Sequence, residues 1–551
     1  MDLRGSGVVL ATSALLIPVF SSTAAGAAGG TTFPSSSSLT APVKATEWVE
    51  DAIIYQVFVR TFSPEGTLQG VTDRLEYIAS LGVNTVYLLP IHPIGQIRRV
   101  GTLGSPYSIR DHLQVDPALG TLADLQELVR RAHALGLRVL LDLVPNHTSF
   151  DNPLITERPE WYVRDANGNP LPPNKDWLDV AQLNYADPGL RRYMIDVATY
   201  WLQATGIDGF RVDAPAYVPL DFWRQFAAEI KTRFPHALLL AESGESWLME
   251  AFDAQYDWSF LTMIADALQK ENDPQLILAE INYWRDSEGK LIPKLRYLEN
   301  HDHDRFLGRF SEEELIPAAT VLFTLPGIPM IYAGQEIGAV VRPSLFDPFK
   351  VDWNTRNDRV FGLYRQLISL RQSHAALRRG ELVPITVDEG EGVLAFGRIY
   401  GDETVLIAAN FRPKTRSVRL ALADLWYSGT GQDPAKVEVI PLWTSWGETG
   451  AGAREPGAGA DEPGAGTDEA GAGAAAKAEV AAGADTGGAA RTDTGSAIEA
   501  RPGFTGQSVA KTEPSNGAGL VPRQGARAEG GRFEFALPPY GAGVYRLAPR
   551  S

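Results

Sequence analysis

The sequence contains no cysteine, and this absence excludes three kinds of chemistry at once. A chain without thiols forms no disulfides, has no thiolate nucleophile and offers no sulfur ligand to a metal. A basic excess is also missing, because 50 Lys and Arg stand against 67 Asp and Glu, for a formal net charge of −17. No positive field attracts phosphates, and this argues against a nucleic-acid partner.

Long apolar runs are absent beyond the N-terminus, and the run found there is short. Arg4 precedes an apolar segment over residues 8–20, which is too short to span a bilayer. Small residues follow, and Ala25-Gly26-Ala27 fits the small-x-small rule of signal-peptide cleavage. We predict a signal peptide over residues 1–28, a secreted or periplasmic protein and no membrane span in the mature chain. An uncleaved anchor is the alternative.

The segment over residues 47–383 alternates between short apolar runs and helical patterns. Both faces of the apolar runs lack charge along most of their length, which is typical of parallel strands covered by helices. The pattern predicts an α/β fold, a (β/α)8 TIM barrel. An open doubly wound sheet is the alternative, but no Gly-x-Gly-x-x-Gly motif follows the first strand to support the cofactor site of that fold. The predicted strands are AIIYQVFVRTF, NTVYLLPIHPIG, LRVLLDLVPNHTS, IDGFRVDAP, ALLLAES, QYDWSF, KLRYLENHDHD and IPMIYAGQE.

The pattern changes after residue 383, where period-two segments such as VLAFGRIY and TVLIAANF indicate a C-terminal antiparallel β-sandwich. Ala, Gly, Asp and Glu dominate residues 448–530, and such a composition buries too little apolar surface to fold. We predict a disordered, solvated insert there, with a binding tail as the alternative. RFEFALPPYGAGVYRL then predicts a returning strand pair. The predicted organisation is signal peptide 1–28, linker 29–46, barrel 47–383 with a short insertion at about 148–187, β-domain 384–447 and 531–551, and insert 448–530.

Charged residues stand at the ends of four predicted strands, where apolar residues are expected. In a parallel barrel, catalytic groups lie where strands end and the following loops begin. The third strand supplies Asp142, Asn146 and His147, the fourth Arg211 and Asp213, the fifth Glu242, and the seventh His301 and Asp302. The sequence therefore predicts that these side chains share one rim of the barrel.

Arg211 and Asp213 stand two residues apart in DGFRVDAPA, so both side chains point to the same face of a strand. Burying unpaired charges is costly, but here each charge offsets the burial of the other. We expect the guanidinium to keep Asp213 ionised at neutral pH. Taken singly, such a pair is more commonly structural than catalytic.

Bland explanations exist for the other residues as well. In a purely structural reading, His147 is a hydrogen-bonded histidine at a strand end, Glu242 caps a helix, and Asp142 binds the backbone of a turn. Their order at the strand ends of one barrel favours a catalytic site instead. Paired carboxylates in one pocket suit cleavage of a glycosidic bond, since one must be protonated to assist the leaving oxygen while another is ionised.

Four segments, DLVPNH, GFRVDAPA, LLLAES and LENHDHDR, resemble in this order the signature regions of glycoside hydrolase family 13, the α-amylase family. GSPYSIRDHLQVDPALGT and LNYADP resemble two further stretches of that family. The resemblance covers the barrel and the β-domain, and it implies a retaining mechanism through a covalent β-glycosyl-enzyme. It implies Asp213 as the nucleophile, Glu242 as the general acid and then base, and Asp302 as the residue that fixes sugar hydroxyls.

The resemblance also implies a set of binding residues and no organic cofactor. The implied substrate-binding residues are Tyr107, Asp142, His147, Arg211 and His301, with the Tyr107 ring stacked on the sugar. Asn146 matches a position that binds calcium in many members, and the alternative is that it only braces its loop.

The implied partner is an α-glucan, either a malto-oligosaccharide or a starch-derived chain, cleaved at α-1,4 bonds with α-1,6 bonds as a second linkage. Pro215 and Ala216 follow Ala214 where many starch-degrading members carry Lys-His, so attack on long starch chains is not implied. A glucan transferase or sugar isomerase that uses the same intermediate is the alternative. A non-catalytic sugar-binding relative would need the loss of one catalytic carboxylate, and all three are present.

Overall fold

The structure is a computed structural model that describes residues 48–286, 289–425, 437–445 and 532–549. All of them belong to one unit, Val43–Ser551. The predicted signal peptide, the linker and the insert over residues 448–530 lie outside the described residues. Among the helices that are described, none is long and apolar enough to cross a membrane.

Strands in the described chain form a barrel, two further sheets and a small ribbon. In chain order they are β1 (Ile54–Val57), β2 (Thr85–Leu88), β3 (Arg138–Leu143), β4 (His147–Ser149), β5 (Val180–Gln182), β6 (Gly209–Val212), β7 (Leu238–Ala241), β8 (Ala254–Tyr256), β9 (Lys294–Tyr297), β10 (Ile328–Tyr332), β11 (Glu381–Pro384), β12 (Val387–Glu389), β13 (Val393–Tyr400), β14 (Glu403–Asn410), β15 (Arg416–Ala421), β16 (Val437–Thr444), β17 (Arg532–Leu537) and β18 (Ala542–Pro549).

Helices connect and cover the barrel strands. They are α1 (Val59–Phe62), α2 (Leu68–Thr72), α3 (Leu75–Ser80), α4 (Leu122–Ala134), α5 (Leu154–Glu157), α6 (Pro188–Thr205), α7 (Leu220–Arg233), α8 (Trp258–Gln269), α9 (Leu276–Tyr283), α10 (Glu312–Thr324), α11 (Asp358–Ser373) and α12 (Ala375–Arg379). Short 3-10 turns cover Val49–Asp51, Pro159–Trp161, Pro215–Tyr217, Ser246–Glu250 and Phe306–Gly308.

Eight parallel strands close the barrel in the order β1-β10-β9-β8-β7-β6-β3-β2, which confirms the predicted TIM barrel. Every residue of β1, β2, β6 and β7 is buried, because barrel side chains fill one face and helices cover the other. Gly209 begins β6 at φ 144°, where a Cβ would collide with the backbone of Leu238 on β7. Glycine therefore allows β6 to start close against its neighbour.

Two predicted helices are interrupted in the structure. The segment VTDRLEYIASLG forms α2 and α3 with a break at Asp73 and Arg74. The long helix predicted near residues 364–377 breaks at His374, which has extended backbone angles. Glu403 of the β-domain binds the His374 ring at 2.6 Å and accepts the Ala376 amide at 2.8 Å, so a partner distant in sequence starts α12.

The C-terminal domain is an antiparallel sandwich, as predicted. One sheet has the order β11-β13-β14-β18-β16 and the other the order β12-β15-β17. The two strands after the insert do not pair with each other, although the sequence suggested a returning pair. β17 pairs with β15, whereas β18 lies between β14 and β16, since the turn between them carries the chain from one sheet to the other.

Two buried arginines join the barrel to the β-domain. Arg371 of α11 and Arg398 of β13 are completely buried, and burial lowers the pKa of both guanidinium groups. Their partners in the described chain are main-chain carbonyls. Arg371 donates to Phe323, Leu325, Gly327 and Leu377, and Arg398 to Thr324, Leu377 and Gly380. The two guanidinium groups thus satisfy carbonyls at the ends of α10 and α12.

Replacing Arg371 by methionine should lower the free energy of unfolding by about 3 kcal/mol, because several buried carbonyls lose their donor. The measurement is the midpoint of urea unfolding. Arg365→Met is the matched control, since Arg365 lies exposed on the same helix and its loss should cost less than about 0.5 kcal/mol. Equal midpoints for the two variants would contradict a structural role for the buried guanidinium.

Candidate active site

Arg211 lies inside the barrel on β6, with its guanidinium completely buried. Its Nη1 donates to the two carboxylate oxygens of Asp142 at 2.7 and 2.9 Å, and to Oδ1 of Asp213 at 3.2 Å. Its Nη2 forms an ion pair with Glu242. Parallel pairing explains the first contact, because Asp142 of β3 stands beside Arg211 in the ladder. One guanidinium therefore holds three carboxylates from three adjacent strands.

Three tyrosine rings surround this guanidinium. The Arg211 Cζ lies 6.0, 5.5 and 5.8 Å from the ring centroids of Tyr87, Tyr107 and Tyr256. Two of their hydroxyls donate to Oδ2 of Asp142, Tyr87 at 2.5 Å and Tyr107 at 3.0 Å. The rings exclude water from the charged groups, and this strengthens every electrostatic interaction inside the barrel. The two hydroxyls satisfy the Asp142 carboxylate with hydrogen bonds.

Asp213 and Glu242 follow β6 and β7 directly. The amide of Ala214, the residue after Asp213, donates to Oε2 of Glu242 at 3.1 Å. Ala214 has φ 44° and ψ 44°, a left-handed conformation that a residue with a Cβ rarely adopts. Such strain persists where surrounding structure enforces it and is concentrated at functional sites. Here it aims the backbone amide at the second carboxylate.

Burial dominates the protonation of these two acids. It raises the pKa of Asp213 to about 7, although the charge of Arg211 lowers it. It also raises the pKa of Glu242 well above its usual value, and the negative charge of Asp213 raises it further. A side-chain hydrogen bond with Glu242 lowers the pKa of Asp213. Glu242 therefore keeps its proton to higher pH than Asp213 does.

This result corrects the expectation that Arg211 alone keeps Asp213 ionised at neutral pH. Burial raises the pKa of Asp213 to about 7, close to neutral pH, against the lowering effect of the arginine. Burial outweighs the arginine because the guanidinium shares its charge among three carboxylates, and because the charge of Asp142 raises the pKa of Asp213.

A hydrogen-bonded chain connects His301 to Asp142. The Gln56 amide lies 2.9 Å from His301 Nδ1, and donation from its Nε2 leaves the ring proton on His301 Nε2. That nitrogen lies 2.7 Å from the Tyr107 hydroxyl, which donates onward to Asp142. Burial lowers the pKa of His301 to about 4, so the ring is a neutral donor at neutral pH.

Asp302 is the most open of the three predicted catalytic acids, with 41% of its side chain exposed. Its Oδ2 lies 3.2 Å from His301 Nε2. One atom each from Glu242, His301 and Asp302 fall within 4.8 Å of one another. A buried ion pair at 2.6 Å between Arg305 and Glu299 closes the loop that carries Asp302.

His147 and Asn146 lie beside this network. The Asn146 amide lies 3.2 Å from His147 Nδ1, and the His147 ring bonds to the Tyr107 carbonyl. The ring also packs 5.6 Å from that of Trp177. Burial lowers the pKa of His147 to about 3, so it too is neutral. The other seven predicted residues form one connected set, namely Tyr107, Asp142, Arg211, Asp213, Glu242, His301 and Asp302.

Sequence reasoning missed the residues that support this set. Gln56 orients His301, Tyr87 satisfies Asp142, and Tyr256 packs on Arg211. Gln56 carried a usable signal, since it is a polar residue within the apolar strand IYQV. The tyrosines carried none, because aromatic residues are ordinary in strands.

Asn146 is held by hydrogen bonds to its neighbours. Its side-chain amide lies 3.2 Å from His147 Nδ1, and its main-chain carbonyl accepts the Leu183 amide at 3.0 Å. Calcium takes six to eight oxygen ligands, which include main-chain and amide carbonyls as well as carboxylates. Calcium binding at Asn146 stays a prediction.

Two relatives of known structure share this architecture. A noncanonic maltogenic α-amylase from Thermotoga neapolitana is 31% identical, with a TM-score of 0.65, over 72% of this chain and 92% of that one. An α-amylase from Lactobacillus plantarum is 36% identical, with a TM-score of 0.62, over 67% of this chain and 90% of that one.

Sequence comparison points the same way. α-Amylase 2 of Dictyoglomus thermophilum is 28% identical over 414 residues, which span 67% of this chain and 70% of that protein. The family model described as the α-amylase catalytic domain matches residues 28–179 and 174–358. These segments contain the whole network around Arg211, and the match spans more than half of the sequence. The chain therefore belongs to the α-amylase family, glycoside hydrolase family 13.

Proposed function

We propose that the protein is a retaining glycoside hydrolase that cleaves α-1,4 glucosidic bonds of malto-oligosaccharides through a covalent β-glycosyl-enzyme. Family membership supports a hydrolase that acts on α-glucans. The observation that carries the mechanism is the pair Asp213 and Glu242, bound to one guanidinium at the barrel rim and separated in proton affinity. Two such carboxylates are the acid and the nucleophile that glycosidic cleavage needs.

The first step breaks the glycosidic bond. Glu242 donates its proton to the leaving oxygen, and the ionised Asp213 attacks the anomeric carbon to form an ester. The positive charge that develops on the sugar is stabilised by the ionised nucleophile. Arg211 stays protonated, because the acids around it raise its pKa. It holds both carboxylates in place as the charges change.

The second step releases the sugar. Glu242 now acts as a base and takes a proton from water, whose oxygen attacks the anomeric carbon. The ester bond to Asp213 breaks, so the carboxylate is regenerated and the product keeps the α configuration. Two displacements at one carbon account for the retention.

Asp302 and His301 bind the sugar hydroxyls in this proposal. Asp302 is open enough to accept hydrogen bonds from a substrate, and the neutral His301 ring lies beside it, with Nε2 3.2 Å from Asp302 Oδ2. Tyr107 stacks nearly parallel to the His301 ring, at 27° and 5.6 Å, and so completes the wall of the pocket. Export of the protein stays a prediction, since the segment that suggests it lies outside the described residues.

The reaction can be tested on the purified protein with maltoheptaose and, separately, pullulan. We expect the α-anomer of the products to appear first, because two inversions restore the original configuration. The measurement is the anomeric proton signal by NMR within minutes of mixing. Early β-anomer would contradict the covalent mechanism.

Asp213→Ala should lower kcat by at least about 10⁴-fold, whereas Glu242→Gln should still form an adduct from an activated glycosyl fluoride, detected by mass spectrometry.

The pH profile of kcat/KM should be bell-shaped, since turnover needs ionised Asp213 and protonated Glu242. Activity should rise with pH through the raised pKa of Asp213, near 7, and fall again as Glu242 loses its proton. The charge of Asp142 raises both pKa values, so Asp142→Asn should move both limbs to lower pH. Exposed Asp221 provides the control, and Asp221→Asn should leave the limbs in place. Unmoved limbs in Asp142→Asn would refute this coupling.

Asn146 braces its loop in this proposal rather than binding calcium. Chelation with EDTA should then leave the melting temperature unchanged, while Asn146→Ala should cost about 1–2 kcal/mol with or without calcium, because a buried hydrogen bond is lost. Differential scanning calorimetry provides the measurement. A melting temperature that falls with EDTA and recovers with added calcium would restore the metal hypothesis.

A further inference from the structure

A cavity of about 340 Å³ lies where the barrel meets the β-domain. We call it the α11 cavity, and the residues that define it are Glu312, Ile316, Gly362, Gln366 and Trp443. Its walls are the N-terminal halves of α10 and α11 and the end of β16. Its volume suits a small ligand, and junctions between domains are common places for such sites. The described residues that line it include no member of the network around Arg211.

Gly362 keeps part of this cavity open. It lies inside α11, and a Cβ placed there would meet no atom within 4 Å. Its φ is not positive, so neither backbone conformation nor close packing requires a glycine at this position. Glycine inside a helix is destabilising relative to alanine. What the glycine provides is open space above the backbone of α11, where a ligand ring can approach closely.

Apolar and polar groups meet around this space. Ile316 and Leu363 are half-buried, whereas Trp443 is buried. The Trp443 indole donates to Oε1 of Gln366 at 2.8 Å. Gln366 is exposed, and its Nε2 has no acceptor within the described part of the chain. The indole therefore holds the amide oxygen and leaves the amide N–H groups for a ligand.

The charges at the rim select for a neutral ligand. Two carboxylates, Glu312 and Asp358, stand against one guanidinium, that of Arg359, so a phosphate or another anion is repelled. Glu312 Oε1 accepts the Asn357 amide at 2.5 Å, and its Oε2 lies 3.6 Å from Arg359 Nη1. Carboxylate, guanidinium and amide groups together offer acceptors and donors. This mixture suits hydroxyl groups, because each hydroxyl both donates and accepts.

The α11 cavity lies towards the face of the barrel that carries the active site. α10 and α11 begin after the loops that follow β9 and β10, and helices of a parallel barrel start at the rim where the strands end. The loop after β9 carries His301 and Asp302 and leads into Glu312, the first residue of α10. The candidate active site and the α11 cavity are therefore at the two ends of one loop.

We propose that the α11 cavity is a non-catalytic binding site for a malto-oligosaccharide chain. This inference rests on the proposed function, which supplies the class of ligand. The apolar C–H face of a pyranose ring covers Gly362 and Leu363, while its hydroxyls bind Gln366 and the pair Glu312 and Arg359. Such a site favours long glucan chains, because a chain held in the cavity reaches the active site as an intramolecular event.

The test counts binding sites in Asp213→Ala, since maltoheptaose persists where turnover is removed. Equilibrium dialysis with radiolabelled maltoheptaose gives the number of molecules bound per chain. We expect two in Asp213→Ala, one in the active site and one in the α11 cavity. Adding Gly362→Leu should leave one, because the new side chain fills the open space. No neighbouring atom has to move and leucine is the better helix former, so this variant should melt no lower than its parent.

Two further variants in the same background separate ligand binding from other effects. Ser369→Leu is the matched control, since Ser369 lies exposed on α11 outside the cavity. This variant should still bind two molecules per chain. Gln366→Ala should weaken about tenfold the binding event that Gly362→Leu abolishes, because hydrogen bonds from the amide to the sugar are lost.

The outcomes distinguish the two proposals. No hydrolysis of maltoheptaose by the wild type would overturn the proposed function itself. Hydrolysis by the wild type, with one molecule bound per chain in Asp213→Ala, would overturn the second site alone. Two molecules bound in the presence of Gly362→Leu would also overturn it, since the second site would then lie elsewhere. Loss of one molecule with Gly362→Leu, and its retention with Ser369→Leu, supports the α11 cavity.

Discussion

The active site depends on one buried guanidinium. Arg211 lies inside a barrel where an isolated charge would be prohibitively costly, and it is tolerated because Asp142, Asp213 and Glu242 surround it. The converse also holds, since each of these carboxylates is buried only because the arginine is there. Three tyrosine rings keep water out and thereby strengthen all of the charges inside. The carboxylates proposed as catalytic groups are thus also the groups that make the burial of Arg211 possible.

That balance also explains how two neighbouring carboxylates acquire different tasks. Burial raises the pKa of both, and the same arginine lowers it in both, yet their mutual interaction acts in opposite directions on the two. Negative charge from the surrounding acids keeps the proton on Glu242, and its hydrogen bond to Asp213 favours ionisation of the latter. The neutral histidines nearby then donate hydrogen bonds without adding charge that would disturb this difference.

Much of this could be predicted from sequence because local signals carry it. Apolar runs separated by helical periodicity indicated all eight barrel strands, and charges at strand ends indicated Asp142, Arg211, Asp213, Glu242 and Asp302. Features set by partners distant in the chain could not be predicted. Glu403 interrupts a helix at His374, and Gln56 sets the proton position on His301. Burial raises the pKa of Asp213, whereas the arginine beside it was expected to lower that pKa. No local pattern records which groups meet across a barrel, or how one charge is shared among three neighbours.

The position of β18 has a consequence for how the chain reaches its folded state. β18 is the last described strand, yet it lies in the interior of its sheet, with β14 on one side and β16 on the other. Among the strands that the structure describes, β16 pairs in that sheet with β18 alone, so the sheet stays open until β18 is in place. Its contacts span long sequence separations, which slows folding and leaves two strand edges exposed in the meantime. β14 and β16 therefore become parts of one sheet only when β18 has been added between them.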